Sequence, residues 1–124
     1  MYKRQCYACK KTGVCVQKDD VAEILDKMAA ADVIVLSTPV YFYQMNAQMK
    51  TLIDRTMACY YDERLSGKDF YFIVTAAEDK PALERTMDGL RGLTDCIPDC
   101  LLYTSNASRS AGRTACRIRK TRKS

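Results

Sequence analysis

Two short stretches carry the side chains that could do chemistry. The first, CYACKKTGVC, sets Cys6, Cys9 and Cys15 in a C-x2-C-x5-C spacing. Thiolates so spaced can converge on a metal ion or cluster. Three ligands fall short of the four cysteines that a [4Fe–4S] cluster takes, so these residues read either as part of a ligand set or as ordinary thiols. The second stretch, STPVYFYQ from Ser37 to Gln44, places a proline and three aromatic rings where small polar residues are commoner. Pro39 fixes its own backbone and drives Thr38 towards an extended conformation, which makes a stiff wall of the segment. Tyr41, Phe42 and Tyr43 offer flat faces to a planar ring, each stacked pair being worth about 0.5–1.5 kcal/mol beyond area burial. The same rings could instead cover a sheet edge or meet another subunit.

Other chemistries are excluded by composition. The 124 residues contain no histidine, which removes Ser-His-Asp and Cys-His nucleophile pairs, imidazole bases and mixed Cys/His zinc sites together. An enzyme built this way takes its reactive atom from a cofactor. Seven cysteines, an odd number, fit free thiols or metal ligation better than a disulfide framework. Cys59, Cys96, Cys100 and Cys116 show no partner spacing. The net charge of +5 is unevenly spread. Residues 1–99 hold 13 lysines and arginines against all 15 acids, a balance of −2, while residues 100–124 hold seven cations and no acid. The basic tail, with no aromatic residue after Tyr103, suits only salt-sensitive attraction to polyanions, so no specific nucleic-acid partner is expected. No apolar run approaches a membrane span and there is no apolar signal core, so the chain reads as soluble and cytoplasmic, without a membrane partner.

The elements that must position these residues follow from periodicity. Val21, Ile24, Leu25, Met28 and Ala29 repeat at helical spacing, with Asp19 or Asp20 as cap and an end near Ala31. Val33–Leu36 is a β-branched run without alternation, as in a strand of a parallel sheet covered on both faces. Met45, Met49, Leu52, Ile53 and Met57 predict a second helix capped by Asn46. Phe70–Thr75 reads as another strand. Pro81 suits a first helical turn, Leu83, Met87 and Leu90 continue the period, and Gly92 is placed to end it. Residues 33–92 thus form a βαβ unit, with a right-handed crossover. Leu101–Thr104 can add a short third strand before a polar, basic tail.

The segment ADVIVLSTPVYFYQMNAQMKTLIDR, with TPVYF followed by Lys50 and by Asp54 and Arg55, resembles the NADPH-dependent FMN reductases and the related iron-sulfur flavoproteins over roughly residues 6–100. The resemblance implies a flavodoxin-like, three-layer α/β/α fold around a parallel sheet, and an FMN held between two loops. Thr38, Pro39, Val40, Tyr41 and Phe42 would line one side of its ring, and Thr75, Ala76 and Ala77 the other. Lys50 and Arg55 match family positions, or are simply solvated helix charges. Cys6, Cys9 and Cys15 match the last three cysteines of the C-x2-C-x2-C-x5-C set of the iron-sulfur members, with Lys3 at the position of the first.

The family pattern opens with a strand and a phosphate loop for which these residues offer no match. The expectation is therefore a partial flavodoxin-like domain over residues 1–100, incomplete at its first strand, with residues 101–124 a disordered or non-native basic tail and residues 1–5 also non-native. The implied function is that of an inactive fragment of a flavin-dependent oxidoreductase. The intact parent would pass electrons from NAD(P)H through FMN, and through a [4Fe–4S] cluster if one is bound, to a small-molecule or protein acceptor. It would act as a homo-oligomer. The alternative is a metal or iron-sulfur module in which the cysteines are the function and the βαβ unit is scaffold.

Overall fold

The computed structural model describes residues 6–77, 80–108 and 114–118. A short helix α1 (Cys9–Thr12) lies in the cysteine segment and is followed by α2 (Val21–Ala30). Asp20 occupies the N-cap position of α2 without a side-chain cap bond; the neighbouring Asp19 carboxylate accepts from the Val21 N–H at 3.2 Å instead. The helix stops because Ala31 turns extended, and the Lys68 ammonium donates to the carbonyls of Ala29 and Ala31 at 2.7 and 2.6 Å. That cation sits where unsatisfied carbonyls and the helix dipole both favour positive charge.

Strand β1 (Val33–Tyr41) then runs further than the apolar pattern alone suggests and turns directly into β2 (Gln44–Met45). Helix α3 (Ala47–Arg55) is capped as expected, the Asn46 side chain accepting from Met49 N–H at 2.9 Å. A single turn, α4 (Met57–Tyr60), leads to β3 (Asp69–Ala76). Helix α5 (Lys80–Asp95) precedes β4 (Leu101–Ser108) and β5 (Thr114–Ile118). The five strands form one sheet in the order β2-β1-β3-β4-β5, with β1, β3 and β4 parallel and the two outer pairings antiparallel. Its core is parallel, and β1–α3–α4–β3 is the anticipated crossover.

Inward residues of the strands meet α5. Ile34 and Leu36 of β1, with Phe70, Phe72 and Val74 of β3, pack into one cluster with Leu83, Met87 and Leu90 of α5 and with Leu25 and Met28 of α2. Alternation along β3 makes the choice of face: each large residue buried there adds about 1.5–3 kcal/mol.

Several expectations change. Burial along Val33–Leu36 alternates instead of being complete, because only one face of the sheet is buried; Val33, Val35, Tyr71 and Ile73 of the opposite face are exposed. Ser37–Tyr41, read as loop, belongs to β1, and Pro39 lies in register with Thr75. A proline is tolerated at a sheet edge, and among the described residues no strand lies against the second edge of β1 until Val40 and Tyr41 meet β2. Gly92 does not end α5, since Leu93 and Thr94 beyond it are buried and their packing outweighs the roughly 1 kcal/mol that glycine costs in a helix. The third strand extends past Thr104 to Ser108. Residues 1–5, 109–113 and 119–124 of the expected termini lie outside the described residues.

Candidate functional site

At the carboxyl end of β1 the chain reverses in a two-residue hairpin. Tyr41 pairs with Gln44, and the intervening Phe42 and Tyr43 have φ of 49° and 62°. Positive φ at both central positions is the mirror-image turn whose twist suits a hairpin, and it favours asparagine and glycine. Side chains with a Cβ are strained there, at a cost of order 1–3 kcal/mol each, and such strain clusters at functional sites. The rings are also presented to solvent: Phe42 is 98 % exposed and Tyr41 62 %. An aromatic turn that covered a core would bury those faces.

The two predicted halves of the site come together. Because β1 and β3 are parallel neighbours with Pro39 opposite Thr75, the hairpin and the residues after β3 leave the same end of the sheet side by side. Thr75 and Ala77 are exposed and Ala76 half-buried, while Pro39 and Val40 are half-buried. Thr38 has a different task. It is 1 % exposed, and its hydroxyl accepts from the Asn46 N–H at 3.1 Å while donating to the Pro39 carbonyl at 3.0 Å. It therefore ties the start of α3 to the strand and presents no side-chain surface to a ligand. β4 continues the rim, with Ala107 and Ser108 in register with Thr75 and Ala76.

The C-x2-C-x5-C cysteines lie in the segment that contains α1 and precedes α2. Cys6 is exposed, Cys9 and Cys15 are half-buried free thiols, and no group of three or more Cys, Asp or Glu among the described residues is disposed to hold a metal ion. Their segment is pinned by two arginines. Arg55 of α3 makes a two-point ion pair with Asp19, at 2.7 and 3.0 Å. Hydrogen bonding to Arg55 holds the Asp19 carboxyl below the usual 3.8. Arg64 donates to the Gly13 carbonyl at 2.7 Å and pairs with Asp26 and Asp62 at 3.2 and 2.6 Å. Gly13 closes α1 at φ 68°, a conformation that glycine adopts without strain. Beneath this segment a cavity of about 60 Å³ is lined by Cys15, Leu25, Asp26 and Arg64 among others. It has room for about two waters and none for a ring system. Lys50 pairs with Asp54 on the exposed surface of α3.

Sequence reasoning singled out Thr38 by position but not its burial. It also left Arg85 and Gly89 of α5 out of the site, although Arg85 lies over the Tyr43 ring, 5.0 Å from its centroid. Nothing in their sequence spacing announces that contact, because it joins elements some forty residues apart.

Comparison with known proteins gives these features a context. The sequence profile described as NADPH-dependent FMN reductase matches residues 2–93. An iron-sulfur flavoprotein of Archaeoglobus fulgidus is 46 % identical over 72 residues, which is 57 % of this chain and 35 % of that protein. The chain thus spans about a third of the length of this curated relative. Among solved structures, the flavodoxin-type WrbA-like protein of Agrobacterium tumefaciens superposes with a TM-score of 0.56 at 22 % identity, over 60 % of this chain and 47 % of its own. RosB with a bound 8-demethyl-8-formylriboflavin-5′-phosphate does so with a TM-score of 0.60 at 14 % identity, over 78 % of this chain and 42 % of its own. The fold is flavodoxin-like α/β.

The rim has the shape and chemistry for a flat ring, and the cysteines form no metal-binding group among the described residues. Exposed rings at the turn, with Thr75 and Ala77 beside them, leave an apolar rim at the carboxyl ends of parallel strands, where ligands of open α/β sheets bind. Cys6, Cys9 and Cys15, by contrast, are not gathered into a metal-binding group.

Proposed function

The chain belongs to the NADPH-dependent FMN reductase family, and from this we propose that it contributes the ring-binding rim of a flavin-dependent oxidoreductase that takes electrons from NAD(P)H. The observation that carries the reading is the strained turn, whose aromatic side chains stand in water beside the end of β3. When bound, FMN supplies the redox-active ring that accepts a hydride from NAD(P)H and passes electrons to a small-molecule or protein acceptor. The protein's residues bind and orient. Tyr41 and Phe42 stack on the ring and restrict access to one of its faces; Pro39 and Val40 form the wall below them. Thr75, Ala76 and Ala77 would line the other side, with backbone N–H groups beyond the paired residues of β3 polarising the ring's heteroatoms. No side chain here has to transfer a proton, in keeping with the lack of histidine. The complete protein acts as a homo-oligomer with its flavin site near the subunit boundary, as the family resemblance suggests.

The test separates ring from phosphate. If the rim grips the ring, FMN and lumiflavin, which lacks the ribityl phosphate, should quench saturably with similar, weak affinity. Tyr41→Ala and Phe42→Ala should each weaken both roughly two- to tenfold, the equivalent of one stacked pair. Absence of saturable binding by either flavin would sink the reading. Stoichiometric iron in anaerobically prepared protein, without flavin binding, would favour a cysteine-centred redox module instead.

A further inference from the structure

A turn with two aromatic residues at positive φ persists only if its surroundings over-determine it, and the surroundings here come largely from one helix. The Arg85 guanidinium lies over the Tyr43 ring at 5.0 Å. One helical turn later, Gly89 leaves the space that the hairpin fills: a Cβ at Gly89 would stand 3.2 Å from Met45 Cε and 3.6 Å from Gln44 Oε1. Met45 is buried, and β2 packs on α5 as well as pairing with β1. Residues i and i+4 share a helix face, so Arg85 and Gly89 meet the hairpin together, at its turn and at its returning strand. Phe42 lies between these anchors and solvent, almost wholly exposed. Among the described residues the charged end of Arg85 meets the face of the Tyr43 ring.

We propose that Arg85 and Gly89 are positioning residues of the flavin site: Arg85 clamps Tyr43 and Gly89 admits Met45, and together they aim the Phe42 face of the turn at the ring-binding rim. The inference rests on the flavin reading for its functional consequence, but the clamp itself is a property of the chain. Arginine suits the role better than lysine because its planar, weakly hydrated guanidinium stacks on an aromatic face. Glycine suits position 89 because any side chain would contest the space of the Met45 methyl group.

The full chain, carrying Arg85→Ala, Arg85→Lys or Gly89→Ala, is examined by NMR at the amides of residues 41–45, the Tyr43 ring protons and the Met45 methyl, with thermal unfolding and lumiflavin titration in parallel. Arg85→Ala is expected to move the Tyr43 ring and turn amide signals while leaving the unfolding midpoint nearly unchanged, and to weaken lumiflavin binding roughly two- to fivefold, the scale of one cation–π contact. Arg85→Lys should restore part of both. Gly89→Ala would stabilise α5 by helix propensity alone, yet it should displace the Met45 methyl and turn signals and weaken the flavin. Unmoved turn signals in Arg85→Ala and Gly89→Ala would overturn the inference whatever the flavin does. Moved signals in a chain that binds no flavin would support the clamp and defeat the flavin reading alone.

Discussion

Phe42 and Tyr43 hold a backbone conformation that their side chains disfavour, so the turn should be improvable as structure and spoiled as a site. Replacing the pair by Asn and Gly (Phe42→Asn, Tyr43→Gly) is expected to raise stability by about 1–2 kcal/mol in urea titrations while reducing flavin binding; an unchanged midpoint would mean the turn is relaxed in solution. Asp19 makes the opposite kind of argument, through charge. Arg55 depresses its carboxyl pKa below the usual 3.8, so the pair stabilises the folded chain above that value. The contribution disappears as pH falls through the lowered pKa. The stability gap between wild type and Asp19→Asn should therefore be present at neutral pH and close in acid below about 4, and a gap independent of pH would remove the role given to the pair. Neither the strain nor the pair could be read from sequence. Turn signals in sequence are glycine, asparagine and aspartate, and Phe-Tyr is none of them; Asp19 and Arg55 belong to different elements, and Arg55 read either as a family position or as a solvated helix charge.

At the scale of elements the sequence was more transparent. Helical spacing located α2, α3 and α5, and Asn46 was recognisable as the α3 cap, because amphipathic faces and capping side chains are local properties. The limits of β1 and α5 were less legible, since each is set by what it packs against. Pro39 looked like a break but lies in a strand with an open edge, and Gly92 looked like a stop but lies where α5 still buries Leu93 and Thr94. The end of α2 depends on a residue that no local pattern connects with it. Lys68 bonds two of its last carbonyls across some forty residues. Replacing it by methionine keeps much of the aliphatic stem and removes the cation, and should cost about 1.5–3 kcal/mol, the range for hydrogen bonds to a charged group. Thermal or urea unfolding of Lys68→Met measures it; a loss within a few tenths of a kcal/mol would show that water serves those carbonyls equally well.

Over the whole molecule, the α/β class and the parallel βαβ unit were legible from strand–helix–strand order, whereas the assignment of Thr38–Phe42 and Thr75–Ala77 to the two sides of one ring came from the family resemblance alone. The covering of the sheet was not legible. A run such as Val33–Leu36 announces residues suited to burial on both faces, while the structure buries one and leaves Val35 57 % exposed beside Val33, Tyr71 and Ile73. Parallel sheets are ordinarily covered on both sides, so this apolar face should bind an anilinonaphthalene sulfonate dye in the folded chain. Val35→Lys should reduce that fluorescence without lowering helix content; unchanged fluorescence would locate the dye elsewhere. Among the described residues, no helix is long and apolar enough to cross a membrane. The sheet also has an internal asymmetry, for β3 has β1 on one side and β4 on the other, whereas among the described residues β1 between Val33 and Leu36 has β3 alone. Successive peptide groups in a strand point to opposite sides. Deuterium should accordingly enter β1 at every second amide within the time that loops take, leaving the intervening protons as slow as those throughout β3.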